Sequence, residues 1–190
     1  MKPRDEQKIE QIFAATVLLV AKNGLVGVTI SDIAKEAGIA TGTLYIYFAG
    51  KDELIRALFI KLKESLAHDY LSGYHAEEPF KVGFKKVWMN ILDSKIKRFD
   101  ENVFVEQCYR SPFISEQIKR QTEQMLLPLF NLIERGKNEG LIKLFDTFLL
   151  LTYMVGSITE LVNLSKYSGE DLKKETIESA FLLCWDGLKA

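Results

Sequence analysis

Thr29-Ile-Ser-Asp-Ile-Ala-Lys-Glu-Ala-Gly-Ile-Ala-Thr-Gly-Thr-Leu-Tyr-Ile-Tyr-Phe48, followed by Lys51-Asp-Glu-Leu54, decides the fold of this chain. Thr29 opens a helix. Its hydroxyl can accept from a free backbone N–H, and Asp32, three positions on, is a short version of the capping-box partner. Ile33, Ala34 and Ala37 then face inward and are small enough to let the next helix approach closely. Gly38 stops the helix, because a residue without a Cβ enters the left-handed conformation cheaply. Ile39 supplies the apolar contact of the turn, and a second helix from about Thr41 to Tyr47 directs Leu44 and Phe48 at the core. The product is a helix-turn-helix.

A unit of this kind fits the major groove of DNA and offers short side chains to base edges. Thr hydroxyls bond base edges or phosphate oxygens, and the Thr methyl can touch thymine. Gly42 lets the start of the second helix come close to the sugar-phosphate backbone, and the phenols of Tyr45 and Tyr47 reach phosphates. For Tyr45, packing in a hydrophobic plug with Phe48 explains the ring as well as a phosphate contact does. Lys51 heads the following helix, where ammonium and helix dipole attract the same phosphate. The candidate DNA contacts are Thr29, Ser31, Thr41, Gly42, Thr43, Tyr45, Tyr47 and Lys51.

Taken jointly, Thr29-Ile-Ser-Asp-Ile-Ala34, Ala37-Gly38-Ile39, Gly42-Thr-Leu-Tyr-Ile-Tyr-Phe48 and Lys51-Asp-Glu-Leu54 resemble the DNA-binding domain of the TetR family of transcriptional regulators. The resemblance implies an all-α chain: a three-helix DNA-binding head over residues 1–50, then a helical ligand-binding and dimerisation domain over 51–190. It further implies a homodimer on a palindromic double-stranded DNA operator, an inducer pocket and no cofactor. Two positions depart from the family pattern. Ala40 stands where a capping Ser is usual, a loss of about 1 kcal/mol unless Thr41 takes over the role. Thr41 itself stands where a basic residue is frequent, which removes one phosphate contact.

Composition bounds the rest. A chain of 190 residues that is 47% hydrophobic can bury a substantial core in one large or two small domains. A formal net charge of −1 argues against a general polyanion binder. The first helices are nearly balanced as well: Lys2, Arg4, Lys8, Lys22, Lys35, Lys51, Arg56, Lys61 and Lys63 face Asp5, Glu6, Glu10, Asp32, Glu36, Asp52, Glu53 and Glu64. Such balance predicts weak non-specific binding, so occupancy must rest on a specific operator and two heads acting together. Cys108 and Cys184, without metal-like spacing, read as reduced buried thiols of a cytoplasmic protein, with a redox-sensing Cys108 as the minor alternative. His68 and His75 belong to no metal pattern. The charged N-terminus is no signal peptide, and Lys143, Asp146 and Glu160 interrupt the most apolar segment, so no membrane span is expected.

Beyond the head, an amphipathic first helix through Ile9, Ile12, Phe13, Thr16, Val17 and Val20 ends at Asn23-Gly24. A fourth helix from Lys51 carries Leu54, Ile55, Leu58, Phe59, Leu62 and Leu66 and links head to sensor. A break at Ser72–Pro79 precedes a helix through Val82 and Leu92. Ser111-Pro112 begins another helical stretch, which Pro128 must kink or divide. Two long helices, about Asp146–Tyr167 and Glu170–Leu188, close the chain. The first of them is apolar almost all round and must be covered on two sides. Pairing both with their copies in a second subunit would form a four-helix interface with Leu161, Ile177, Phe181, Cys184, Trp185 and Leu188 at its centre. Trp88, Met89, Phe104, Phe113, Met125 and Tyr153 are rich in aromatics and Met, and as a group suit a small apolar effector, with Gln107 among the candidate polar contacts.

No nucleophile–base constellation, phosphate-binding glycine loop or metal motif points to an enzyme. The leading expectation is a ligand-responsive repressor released from its operator by a small apolar effector. The alternatives are a ligand-independent DNA-binding regulator and a helical ligand carrier with a vestigial head.

Overall fold

The computed structural model describes residues 3–190, with side chains from Asp5 onward, so Lys2 and the Arg4 side chain of the head's charge balance lie outside the described residues. The helices are α1 (Pro3–Gly27), α2 (Ile30–Glu36), α3 (Thr41–Tyr47), α4 (Lys51–Tyr70), α5 (Phe80–Lys97), α6 (Phe99–Tyr109), α7 (Glu116–Glu123), α8 (Leu127–Asn138), α9 (Thr147–Ser168) and α10 (Lys174–Leu188). A 3-10 turn, Gln124–Leu126, joins α7 to α8. Among the described residues the one extended pairing is an isolated antiparallel bridge between Ile142 and Lys189.

Most boundaries follow local chemistry. Gly24 breaks the helical course of α1 with φ +74°, next to the expected stop at Asn23-Gly24. Pro128 sits in the first turn of α8, where its missing N–H costs nothing, so it divides the helical stretch rather than kinking it. Asp146 caps α9 by accepting the Leu149 N–H at 2.9 Å. One break carries no sequence signal: α5 and α6 part at Arg98 (φ −116°, ψ 41°), with neither Gly nor Pro nearby.

The chain forms two compact units, and neither is a single stretch. The first runs up to Ser65 and takes back Arg98–Thr122; the second holds Leu66–Lys97 and Glu123–Ala190. The α4 helix is thus continuous through the boundary, its last residues counted with the second unit.

In the first unit, Ile12, Phe13 and Val20 of α1 meet Ile33, Ala34, Leu44 and Phe48, with Leu54, Ile55, Leu58 and Phe59 from α4. The rings of Phe13 and Phe48 lie 5.7 Å apart. From the returning segment, Phe104, Cys108 and Ile114 complete this core. Burial pushes the Cys108 thiol up to about 12.

In the second unit, Phe80 and Phe84, one turn apart on α5, lie 6.2 and 5.5 Å from the ring of Trp185 on α10. Trp88, a turn further on, meets Phe181 edge-on at 5.5 Å. Close packing is enforced at Gly136 of α8, where a Cβ would stand 2.4 Å from Phe80 and 2.6 Å from Ile142. Burial pushes the Cys184 thiol up to about 11. Thiols held protonated and covered are poor nucleophiles. Both cysteines should therefore ignore an aromatic disulfide reagent in the native chain and react after denaturation; fast labelling of native Cys108 would restore the redox-sensor alternative.

Two helices, Asp5–Gly27 and Thr147–Ser168, are long and apolar enough to cross a membrane. Each instead sends one face into a core, through Ile12, Phe13 and Val20 in the first and Leu150, Met154, Ile158 and Val162 in the second.

Candidate nucleic-acid interface

The first helix of the pair is capped as its residues require. Thr29 Oγ1 accepts the Asp32 N–H at 3.2 Å, and Asp32 Oδ2 accepts the Thr29 N–H at 3.0 Å and its hydroxyl at 2.6 Å. These bonds from the Thr29 side chain, its backbone, and then the charge of Lys35 hold the Asp32 carboxyl below its usual range. The Thr29 hydroxyl is therefore spent on the cap, and exposed Ser31 is the free hydroxyl of this turn. Gly38, at φ +68°, turns the chain. Ala40 is the residue before α3 and makes no side-chain cap, so the departure noted at this position leaves α3 without one.

α3 buries Leu44, and Phe48 follows it into the core. At about 100° per residue, Gly42 and Ile46 both lie about 200° from Leu44, on the outermost line of the helix. Tyr45 flanks that line, 54% exposed, and Thr41 and Thr43 are half-buried. Ile46 is 78% exposed and is an outward-facing residue absent from the candidate contacts. Its signal was present in the spacing from Gly42, but an apolar residue beside Leu44 and Phe48 reads as core until the helix phase is fixed. A Cβ on Gly42 would meet nothing within 4 Å among the described residues, none of which requires glycine there.

Two expected phosphate contacts are occupied inside the head. The Tyr47 hydroxyl donates to Asp5 Oδ1 at 3.1 Å, tying α3 to α1. Lys51 Nζ donates to the Leu25 carbonyl at 2.7 Å and lies 5.4 Å from the centre of the Phe113 ring. Gln107, expected against a ligand, accepts the Leu25 N–H at 2.9 Å. Both backbone groups of Leu25, just past the break in α1, are thus held by side chains from α4 and α6.

Residues 12–58 match the model of bacterial regulatory proteins of the tetR family, and residues 79–189, more than half of the chain, match that of a tetracyclin repressor-like C-terminal domain. The chain belongs to the TetR family of transcriptional regulators. It is 35% identical over 149 residues to the HTH-type transcriptional regulator YvdT of Bacillus subtilis, across 74% of this chain and 71% of that one. A TetR-family regulator from Marinobacter aquaeolei has the same fold, with a TM-score of 0.91 at 28% identity over 100% of this chain and 99% of that one. FadR of B. subtilis, solved in complex with stearoyl-CoA, shares the fold with a TM-score of 0.73 at 21% identity, over 94% and 98% of the two chains.

Within this TetR-family chain, the residues expected at the dimer interface are placed differently. Phe181, Cys184, Trp185 and Leu188 are buried within the second unit, and the two rings pack on α5. The cause is simple: the apolar stripe of α10 meets an aromatic row on α5 of its own chain. Leu161 and Ile177 are half-buried. The apolar face left open is another one. On α9 it runs through Leu149, Tyr153, Gly156, Leu164 and Tyr167, all exposed, with exposed Glu160 on the same line between Gly156 and Leu164. On α10 it holds Leu183, 72% exposed and one turn from Gly187, against which the Tyr153 ring rests.

The six effector candidates divide between the two units. Phe104 is enclosed in the core of the first unit, where Phe113 underlies Lys51. Trp88, Met89, Met125 and Tyr153 belong to the second unit. There Trp88 is core and Tyr153 lies on the open face of α9. Met89 lines a shallow surface depression with Lys81, Val82, Lys85 and Lys86.

Proposed function

We propose that the chain is a dimeric repressor that reads a palindromic operator with α3 and is released by a small apolar effector. The observation that carries the DNA half is the outward line of α3: Gly42 with open space where a side chain would be, beside exposed Tyr45 and Ile46. A glycine costs a helix about 1 kcal/mol relative to alanine, and a partner's close approach explains its presence where the chain itself gives no reason. Ser31, Thr41, Thr43 and Tyr45 supply hydroxyls for phosphates and base edges, and Thr29 and Tyr47 act by holding the helices in place. Lys51 braces the start of α4 against Leu25, and its remaining N–H donors and the helix N-terminus serve a phosphate. We keep residues 1–50 as the DNA-binding part and 51–190 as the effector-binding and dimerising part, with α4 as the link.

The dimer in this proposal uses the open face of α9 and α10. Leu149, Tyr153, Leu164, Tyr167 and Leu183 would be covered, Gly156 would let two α9 helices approach closely, and the Glu160 carboxylate would stay in water between the two apolar stretches. The effector half rests on membership of the TetR family and on the neighbour solved with stearoyl-CoA. Aromatic and Met side chains such as Trp88, Met89, Phe113 and Met125 suit an apolar ligand. The family and the balanced charge support a cytoplasmic protein.

The test is selection by the full chain from random DNA duplexes. An inverted repeat with half-sites one helical turn apart, roughly 34–36 Å, or at a larger groove-matched spacing, is expected. Absence of any enriched sequence contradicts the proposal. Stearoyl-CoA, which carries its apolar acyl chain on a charged carrier, is the first effector to try: coupling is reciprocal, so it must weaken operator binding by the factor by which operator weakens its own binding. Independent affinities for both would leave a regulator that is not released by this ligand.

Gly42→Ala gives a sharper prediction, because stability and function move in opposite directions. The chain should gain several tenths of a kcal/mol to about 1 kcal/mol in urea unfolding. Operator affinity should fall at least tenfold as the new methyl meets the DNA backbone. Equal affinity with raised stability would remove Gly42 from the interface.

A further inference from the structure

The identity of the bases beneath α3 follows from what its outward side chains can and cannot do, given that the helix enters the major groove as proposed above. Thr41-Gly-Thr-Leu-Tyr-Ile-Tyr47 contains no Arg, Lys, Asn, Gln, Asp or Glu. The bidentate contacts that single out guanine need Arg or Lys, those that single out adenine need Asn or Gln, and acceptance from the cytosine amine needs Asp or Glu. None is available on this helix. The hydroxyls of Thr41, Thr43 and Tyr45 can donate or accept, so they discriminate bases weakly.

One outward side chain remains. Ile46 is 78% exposed, lies on the same line as Gly42, and has Leu44 on the opposite side of the helix. An isoleucine left in water on a seven-residue helix that otherwise buries its apolar side chain at Leu44 has no role in the core. In the major groove, the one apolar feature that differs between base pairs is the C5-methyl group of thymine. Gly42, one turn earlier, adds no side chain that would hold Ile46 away from the base edges.

We propose that Ile46 is a specificity-determining residue that packs on thymine methyl groups, so that the part of each half-site lying under the outer line of α3 consists of A·T pairs. Discrimination there is by methyl burial, not by hydrogen bonding to guanine or adenine. Tyr45, Thr43 and Thr41 position the helix on the strands, and Ile46 selects.

The experiment uses the full chain and the duplex enriched from the random library, remade with deoxyuridine for thymidine one position at a time. Uracil pairs as thymine does and lacks only the methyl. At one position in each half-site, removing it should weaken wild-type binding by roughly fourfold, about 15-fold when both half-sites are changed, the cost of exposing one methyl-sized group each time. In Ile46→Ala, whose fold is checked by circular dichroism, that difference should disappear, while Ile46→Val should keep part of it. If no position responds to uracil, or if the response persists undiminished in Ile46→Ala, the proposal is overturned while DNA binding stands. If the library yields no enriched duplex at all, the DNA-binding reading fails and this inference fails with it.

Discussion

Leu183→Glu is expected to give folded monomers that have lost their operator. Leu183 is 72% exposed on α10, on the same line as Gly187, against which Tyr153 of α9 rests. A carboxylate there costs the isolated chain little, because it stays in water. In the proposed dimer it would lie buried against apolar side chains of the second copy, and an unpaired buried charge is among the most expensive substitutions an interface can carry. Losing the dimer uncouples the two heads. The second head then no longer binds at a high effective concentration, and operator affinity should fall by about 10²–10⁴-fold. Light scattering should report a monomer whose circular dichroism is unchanged. A mutant that stays dimeric would move the interface off this face.

Phe181→Ala should behave in the opposite way. The Phe181 ring is 3% exposed and meets Trp88 edge-on at 5.5 Å, with Phe84 at 6.3 Å. Truncating such a ring typically costs about 3–5 kcal/mol, from lost burial and the cavity left behind. Against a typical total of about 5–15 kcal/mol, that is a large share, and the melting temperature should fall by roughly 6–20 °C. At temperatures where the mutant is still folded, its oligomeric state and operator preference should match the parent's. Dissociation without destabilisation would return Phe181 to the subunit interface.

These two mutants mark what periodicity can and cannot reveal. The stripe Ile177, Phe181, Cys184, Trp185, Leu188 was visible as apolar spacing, but spacing does not say what covers a stripe. The cue lay on α5, where Phe80, Phe84 and Trp88 recur at one-turn intervals and form the complementary row. The recognition pair was far more legible. Thr29 with Asp32 and the positive φ of Gly38 are local devices whose geometry is set within a few residues. The roles of Tyr47, Lys51 and Gln107 were not legible, because each depends on a partner at Asp5 or Leu25 that only the packed chain brings near. The end of α5 at Arg98 was not legible either, because no residue there breaks a helix by itself.

The central claim is that two copies of the chain, each offering α3, grip one operator together. It is tested most directly by comparing affinity and stoichiometry on the enriched inverted repeat and on a single half-site of the same length. Two chains should bind the repeat together, and the single half-site should bind at least about 100-fold more weakly. One chain per duplex, with equal affinity for both DNAs, would contradict the claim.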